Sequence, residues 1–244
     1  MNWSAGKIGA IFQEPAHAIG LSTPPIGCVL DLPGLPGGGN KIYDRSPYGN
    51  HGTITGAVWK RLPSGLWVPD LDGNDDYITC STVLDVAPTN VSFEFWFSPT
   101  DNWSAGSGSE YLLSKSNIEF QDDFAIYLTT ATGALRFTGE YNNEGAVAID
   151  SAQTSWVGGV FYYIVCTFDG TQRMYINGVM EADTDTPNGF MRNGTFHDLH
   201  IGCYHGLGNN FKGKMALIRI YSRALSALEI QNHFNREKHL FGVW

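Results

Sequence analysis

Apolar and polar positions alternate with a period of two along much of this chain. The clearest case is Ser92-Phe-Glu-Phe-Trp-Phe-Ser98, where Phe93, Phe95 and Phe97 share one face and Glu94 and Trp96 the other. Similar runs predict strands over 123–130, 134–141, 162–168, 198–204 and 214–222. The run 173–182 places Asn177-Gly178 between two apolar stretches, a strong hairpin signal. No helical pattern intervenes until Ser226-Ala-Leu-Glu229, which reads as a capping box. Leu228, Ile230 and Phe234, with Leu225, offer that helix an apolar stripe for packing on the sheets. Strands spaced this way without helices between them predict an all-β antiparallel sandwich.

Composition narrows the function more than the fold. Hydrophobic residues are 43% and charged ones 16%, which marks a folded globular chain. The formal charge is −9 and no run of five Lys or Arg occurs, so nucleic-acid binding is excluded. An acidic surface weakly favours cationic partners, calcium among them. Cys28, Cys80, Cys166 and Cys203 form no CxxC pair and are expected as buried thiols. No stretch of 18 apolar residues suggests a membrane span. Gln13, Glu14 and Pro15 cut the apolar start short, against a cleaved signal peptide. Residues 1–27, closed by GLSTPPIG, read as an N-terminal arm that should pack on its own domain or on a neighbouring chain. GLPGGGNK at 34–41 is a turn, because Asn40 separates the last Gly from Lys41 and spoils a phosphate loop.

Seven segments in order carry a family resemblance. They are DRSPYGNHGTITGAVW (44–59) with LDGNDDYI (71–78), VSFEFWFSP (91–99), LLSK (112–115), FDGTQRMYINGV (168–179), LHIG (199–202) and FKGKMALIRIYSRALSALEI (211–230). Together they resemble laminin-G-like jelly rolls of the concanavalin A-like lectin/glucanase superfamily. The resemblance implies two facing antiparallel sheets with jelly-roll connections over 28–225, after the arm and before a C-terminal helix and tail at 226–244. It also implies glycan or protein binding, often with one calcium at an edge, and use in adhesins, carbohydrate-active enzymes or phage particles. Many relatives carry an acidic residue where this chain has Ala216-Leu217.

Laminarinase-type enzymes of this fold carry Glu-x-Asp-x-x-Glu on one strand, and no such pattern occurs. Glu94 has Ser92 and Trp96 as same-face neighbours on its strand, so no pair of carboxylates flanks a glycosidic bond there. Asp75 and Asp76 are adjacent and, in an extended chain, point to opposite faces. The segment PDLDGNDDYITC (69–80) starts like an EF-hand, but position twelve is Ser81. It is expected to be a turn fixed by its own aspartates, with Asp72 and Asp75 as calcium candidates. His197, His200, Cys203 and His205 have zinc-like spacing, but strand parity sends His197 and His200 to different faces, and polar residues there are expected to face solvent. Glycan binding needs exposed rings and planar polar groups. Trp103 in a Gly/Ser-rich loop, Tyr141, Asn142 and Asn143 in a second loop, and Tyr204 with His205 in a third are the candidates. The leading expectation is a non-catalytic recognition or adhesion module for glycans. A structural subunit of a larger assembly, such as a virion decoration or tail component reached through the arm, is the alternative, and a polysaccharide hydrolase the third.

Overall fold

Phe93, Phe95 and Phe97 point into the space between two sheets, as their alternation requires. The computed structural model describes residues 24–34, 39–80, 83, 89–116, 122–189, 191, 197–205 and 208–244. The expected arm therefore falls almost wholly outside the described residues. Strands in the first half are β1 (Cys28–Leu32), β2 (Lys41–Ile42), β3 (Gly52–Thr55), β4 (Val58–Arg61), β5 (Trp67–Asp72), β6 (Tyr77–Cys80), β7 (Val91–Pro99), β8 (Trp103–Ser104) and β9 (Glu110–Ser116). Those in the second half are β10 (Asp122–Leu128), β11 (Leu135–Tyr141), β12 (Gly145–Asp150), β13 (Ser155–Trp156), β14 (Tyr162–Phe168), β15 (Gln172–Ile176), β16 (Val179–Met180), β17 (Leu199–Ile201) and β18 (Lys212–Tyr221). Helix α1 (Ala227–Glu237) and a 3-10 turn (Lys238–Phe241) end the chain.

The first sheet runs β16-β15-β14-β7-β18-β5-β4, with β1 also pairing with β18. The second runs β12-β11-β10-β9-β17-β6-β3-β2. Every pairing within these sheets is antiparallel, so the expected all-β sandwich is the observed one. Asn177 and Gly178 both have positive φ, 51° and 79°, and turn β15 into β16 as the Asn-Gly signal predicts. Asp44, at the head of the first family segment, ties the chain after β1 by accepting from the backbone N–H groups of Asp31, Ser46 and Asn50. All four cysteines are free and buried.

The whole of β7 is buried, on both faces. Its phenylalanines enter the core between the sheets, while Glu94 and Trp96 on the outer face are covered by the C-terminal segment. Trp96 stacks on Phe241 with ring centroids 4.2 Å apart, and Ile230, Leu240 and Leu225 join it with Tyr163, Val165 and Tyr221 in a second apolar layer. Each large apolar side chain fully buried there stabilises the fold by roughly 1.5–3 kcal/mol. The capping box is present: Ser226 accepts from the Glu229 N–H and Glu229 accepts from the Ser226 N–H. The expected stripe needs one correction. Leu228 is 66% exposed, and the inward face is Ile230, His233, Phe234 and Glu237, at the i, i+3, i+4, i+7 spacing that starts from Ile230.

A buried charge cluster lies under that helix. A bulge in β18, with Leu217 at φ 45°, adds one residue between Ala216 and Arg219 and sets Arg219 opposite Glu94. Arg219 Nη2 stands 2.8 Å from Glu237 Oε1, and its Nε stands 3.4 Å from Asp31 Oδ1. The hydroxyls of Tyr163 and Tyr221 donate to Glu94, His233 Nδ1 lies 3.0 Å from it, and Trp96 Nε1 donates to Glu237. Burial alone would push the Glu94 carboxyl up. The Arg219 charge and the His233 contact reverse this and hold it below the usual carboxylate range.

Candidate functional site

The register of the second sheet decides which candidate residues meet. β9, β10, β11 and β17 bring Glu110, Tyr111, Leu128, Leu135 and Ile201 to one end, and Ser116, Asp122, Gly139 and Leu199 towards the other. Tyr204 and His205 follow the Ile201 end of β17, whereas Asn142 and Asn143 follow the far end of β11. The structure therefore separates these two candidate loops by the length of the sheet.

Two ring candidates are turned inward. Trp103 is 4% exposed, because Trp103-Ser104 pairs as a short strand with Ser155-Trp156 and the two indoles close the edge of the core. The polar loop around it contains one large apolar side chain, and burial of that side chain outweighs the loop's polarity. Tyr141 shares parity with Leu135 and Phe137 on β11, so it enters the core and packs on Phe168 at 5.1 Å. Asn142 and Asn143 remain exposed at the β11–β12 turn, where the Asn142 side-chain amide donates to Asn143.

At the Ile201 end the outer face is aromatic and polar. Tyr111 and Tyr127 are direct cross-strand partners, their rings stacked at 4.5 Å and 9°. Tyr204 leans against Tyr111 at 4.7 Å. All three are half-buried, with part of each open to solvent. Beside Tyr127, Arg136 makes a two-pronged ion pair with Asp150, at 2.7 and 2.8 Å. That bond to Asp150 raises the Arg136 pKa further and keeps the guanidinium charged. Glu110 closes the row. Burial pushes its carboxyl up to about 7, although it accepts from the Lys212 N–H. Sequence reasoning missed Tyr111 and Tyr127, since a tyrosine on an alternating strand reads the same on either face until the sheet order is known.

His200 lies on this same face, opposite in parity to Leu199 and Ile201. It is not solvent-facing as expected but 7% exposed, with Tyr77 at 6.3 Å and His205 at 5.5 Å between ring centroids. Burial and then the neighbouring His205 lower its pKa. His197 diverges, as parity requires, and pairs with Asp123.

The aspartate turn adjoins the platform. Asp72 accepts from the Asn74 backbone and side-chain N–H groups, and Asp76 accepts from the Asp72 N–H. The aspartates thus fix the turn by local bonding as expected. The Asn74 side chain is the main reason that the Asp72 pKa is lowered, while burial raises that of Asp76. Asn210 donates to the Asn74 carbonyl and ties the turn to the loop after Tyr204. The opposite-face expectation for Asp75 and Asp76 fails here. The chain turns instead of extending, and Asp72, Asp75 and Asp76 bring carboxylate oxygens within 4.8 Å of one another.

Comparison with known proteins bears on the fold. The binding domain of Paraclostridial Mosquitocidal Protein 1 is similar at 18% identity and TM-score 0.68, covering 89% of this chain and 55% of that one. The binding domain of botulinum neurotoxin DC in complex with rat synaptotagmin II is similar at 15% identity and TM-score 0.64, covering 86% and 51%. A structure described as showing that cell entry of botulinum neurotoxin type C depends on interaction with two ganglioside molecules matches at 15% identity and TM-score 0.64, with the same shares covered. The chain spans about half the length of these structures. No curated protein matches it by sequence. A family model described as the concanavalin A-like lectin/glucanases superfamily matches residues 72–231, which include Asp72, Asp75 and Asp76, the tyrosine row and His197, His200 and His205. The chain belongs to that superfamily, within its laminin-G-like family.

Proposed function

We propose that this protein is a glycan-binding recognition module and that the ligand meets the Tyr111–Tyr127–Tyr204 end of the second sheet. The observation that carries this reading is the tyrosine row itself, three half-open rings in contact on a rigid sheet. Sugar rings stack on such faces, and the flanking Arg136, Asp150 and His205 offer the planar and charged groups that bind hydroxyls. The similar structures are described as binding domains, one of them in complex with SialylT, which supports a recognition role. Glu94, the residue a hydrolase reading would use, is sealed beneath α1 and held by Arg219, Tyr163 and Tyr221, out of reach of a polysaccharide.

Calcium forms part of the proposal as a weak accessory. It needs six to eight oxygens. Asp72, Asp75 and Asp76 supply three carboxylates, and both Asp72 oxygens already accept from Asn74. A calcium held there would draw most of its shell from water, with an affinity on the order of 10⁻⁴–10⁻³ M. The test is a glycan array probed in calcium and again in a chelator. Binding to a defined set of glycans, modestly stronger in calcium, is expected. A blank array under both conditions would sink the reading.

A further inference from the structure

We propose that His200 and His205 form a two-imidazole site for a borderline-soft divalent metal ion of the zinc type. The two are five residues apart across a strand end, where alternation alone would not join them. Gly202, at φ 85°, and His205, at φ 50°, turn the chain back over the outer face of β17. A side chain at Gly202 would run into Leu71, so the reversal is tied to that glycine. The Ser114 hydroxyl donates to the Cys203 carbonyl, and the His205 N–H donates to the same hydroxyl, which holds the returning loop on the sheet.

The rings that result stand 5.5 Å apart between centroids at an interplanar angle of 63°. Two imidazoles bound to one tetrahedral ion through nitrogens at about 2.0–2.1 Å have centroids ~5 Å apart, close to the observed separation of 5.5 Å. The chemistry of the pair points the same way. Nδ1 of His200 and Nδ1 of His205 are each enclosed and without a hydrogen-bond partner. An unpartnered buried polar atom is costly, and two on adjacent imidazoles are satisfied together by one shared ion. Imidazole donors select zinc-like ions over calcium, which separates this site from the aspartate turn.

The site does not depend on the glycan reading, and its test uses no glycan. The purified chain is titrated with zinc while its melting temperature is followed, and with cobalt(II) while visible absorption is followed. One ion per chain is expected, with a rise in melting temperature and cobalt bands of low-symmetry coordination. His205→Gln, at a half-buried position, should keep the fold by circular dichroism and weaken metal binding by at least about tenfold. Asp72→Asn and His239→Gln should leave the titration unchanged, and calcium should not compete. Failure to take up one equivalent of zinc or cobalt overturns the proposal. So does unchanged affinity in folded His205→Gln, or loss of binding in Asp72→Asn.

Discussion

Replacing Arg219 by Met tests how the C-terminal segment is held. The Arg219 side chain is 6% exposed and faces three carboxylates, Glu237 at 2.8 Å and Asp31 and Glu94 at 3.4 Å each. Two other basic side chains adjoin the cluster: His233, whose Nδ1 lies 3.0 Å from Glu94, and Arg45, whose charge acts on Asp31. Arg219 Nη1 lies near Glu94 without hydrogen-bond geometry, so the contribution there is charge rather than a directed bond. Methionine of similar length keeps the packing but leaves buried carboxylates uncompensated, at a cost of about 3–5 kcal/mol. Arg223→Met is the matched comparison. It breaks an ion pair with Glu229 in which both partners are about one-third exposed, and such pairs contribute only about 0.2–1 kcal/mol. Urea denaturation of the two variants reads the difference as a shift in midpoint at unchanged slope. An Arg219→Met midpoint shift no larger than that of Arg223→Met would refute the reasoning, because it would mean water already reaches the cluster.

Glu110 predicts a pH effect of definite sign. Its folded pKa of about 7 lies above the ordinary value of 4.5, so the fold favours the protonated form. That stability is fully present below 4.5 and is lost as pH rises through about 7. Melting temperatures across that range should fall with pH in the native chain, and Glu110→Gln should flatten this component. Gly178→Ala should destabilise by about 1–2 kcal/mol, from positive φ at a residue with a side chain. Its new Cβ would also press on Phe234 of α1 at 3.2 Å, so thermal unfolding should show the loss directly.

Much of the fold was legible because period-two alternation and local turn chemistry are encoded residue by residue. β7, the Asn177-Gly178 turn and the Ser226 capping box all follow from a few neighbouring side chains. The candidate site was less legible because it depends on sheet order. Nothing in the sequence places Tyr111 opposite Tyr127, since that register comes from a bulge between β9 and β10. Trp103 misled because a Gly/Ser-rich context describes the loop, while the indole's large apolar surface decides its own position. The parity argument for the histidines held for His197 but not beyond Gly202, where the strand ends and alternation no longer applies. The same limit explains Asp75 and Asp76, which sit in a turn.

The central claim is that the tyrosine row binds the sugar. Its most direct test is titration calorimetry with the strongest array ligand against the native chain, Tyr127→Ala, Tyr204→Ala and Asn143→Ala, each checked for an unchanged melting temperature. Loss of one stacking ring is worth about 0.5–1.5 kcal/mol, so each tyrosine variant should bind roughly threefold to tenfold more weakly. Asn143→Ala, at the opposite end of the sheet, should bind as the native chain does. Full affinity in both tyrosine variants, or a loss confined to Asn143→Ala, would contradict the account.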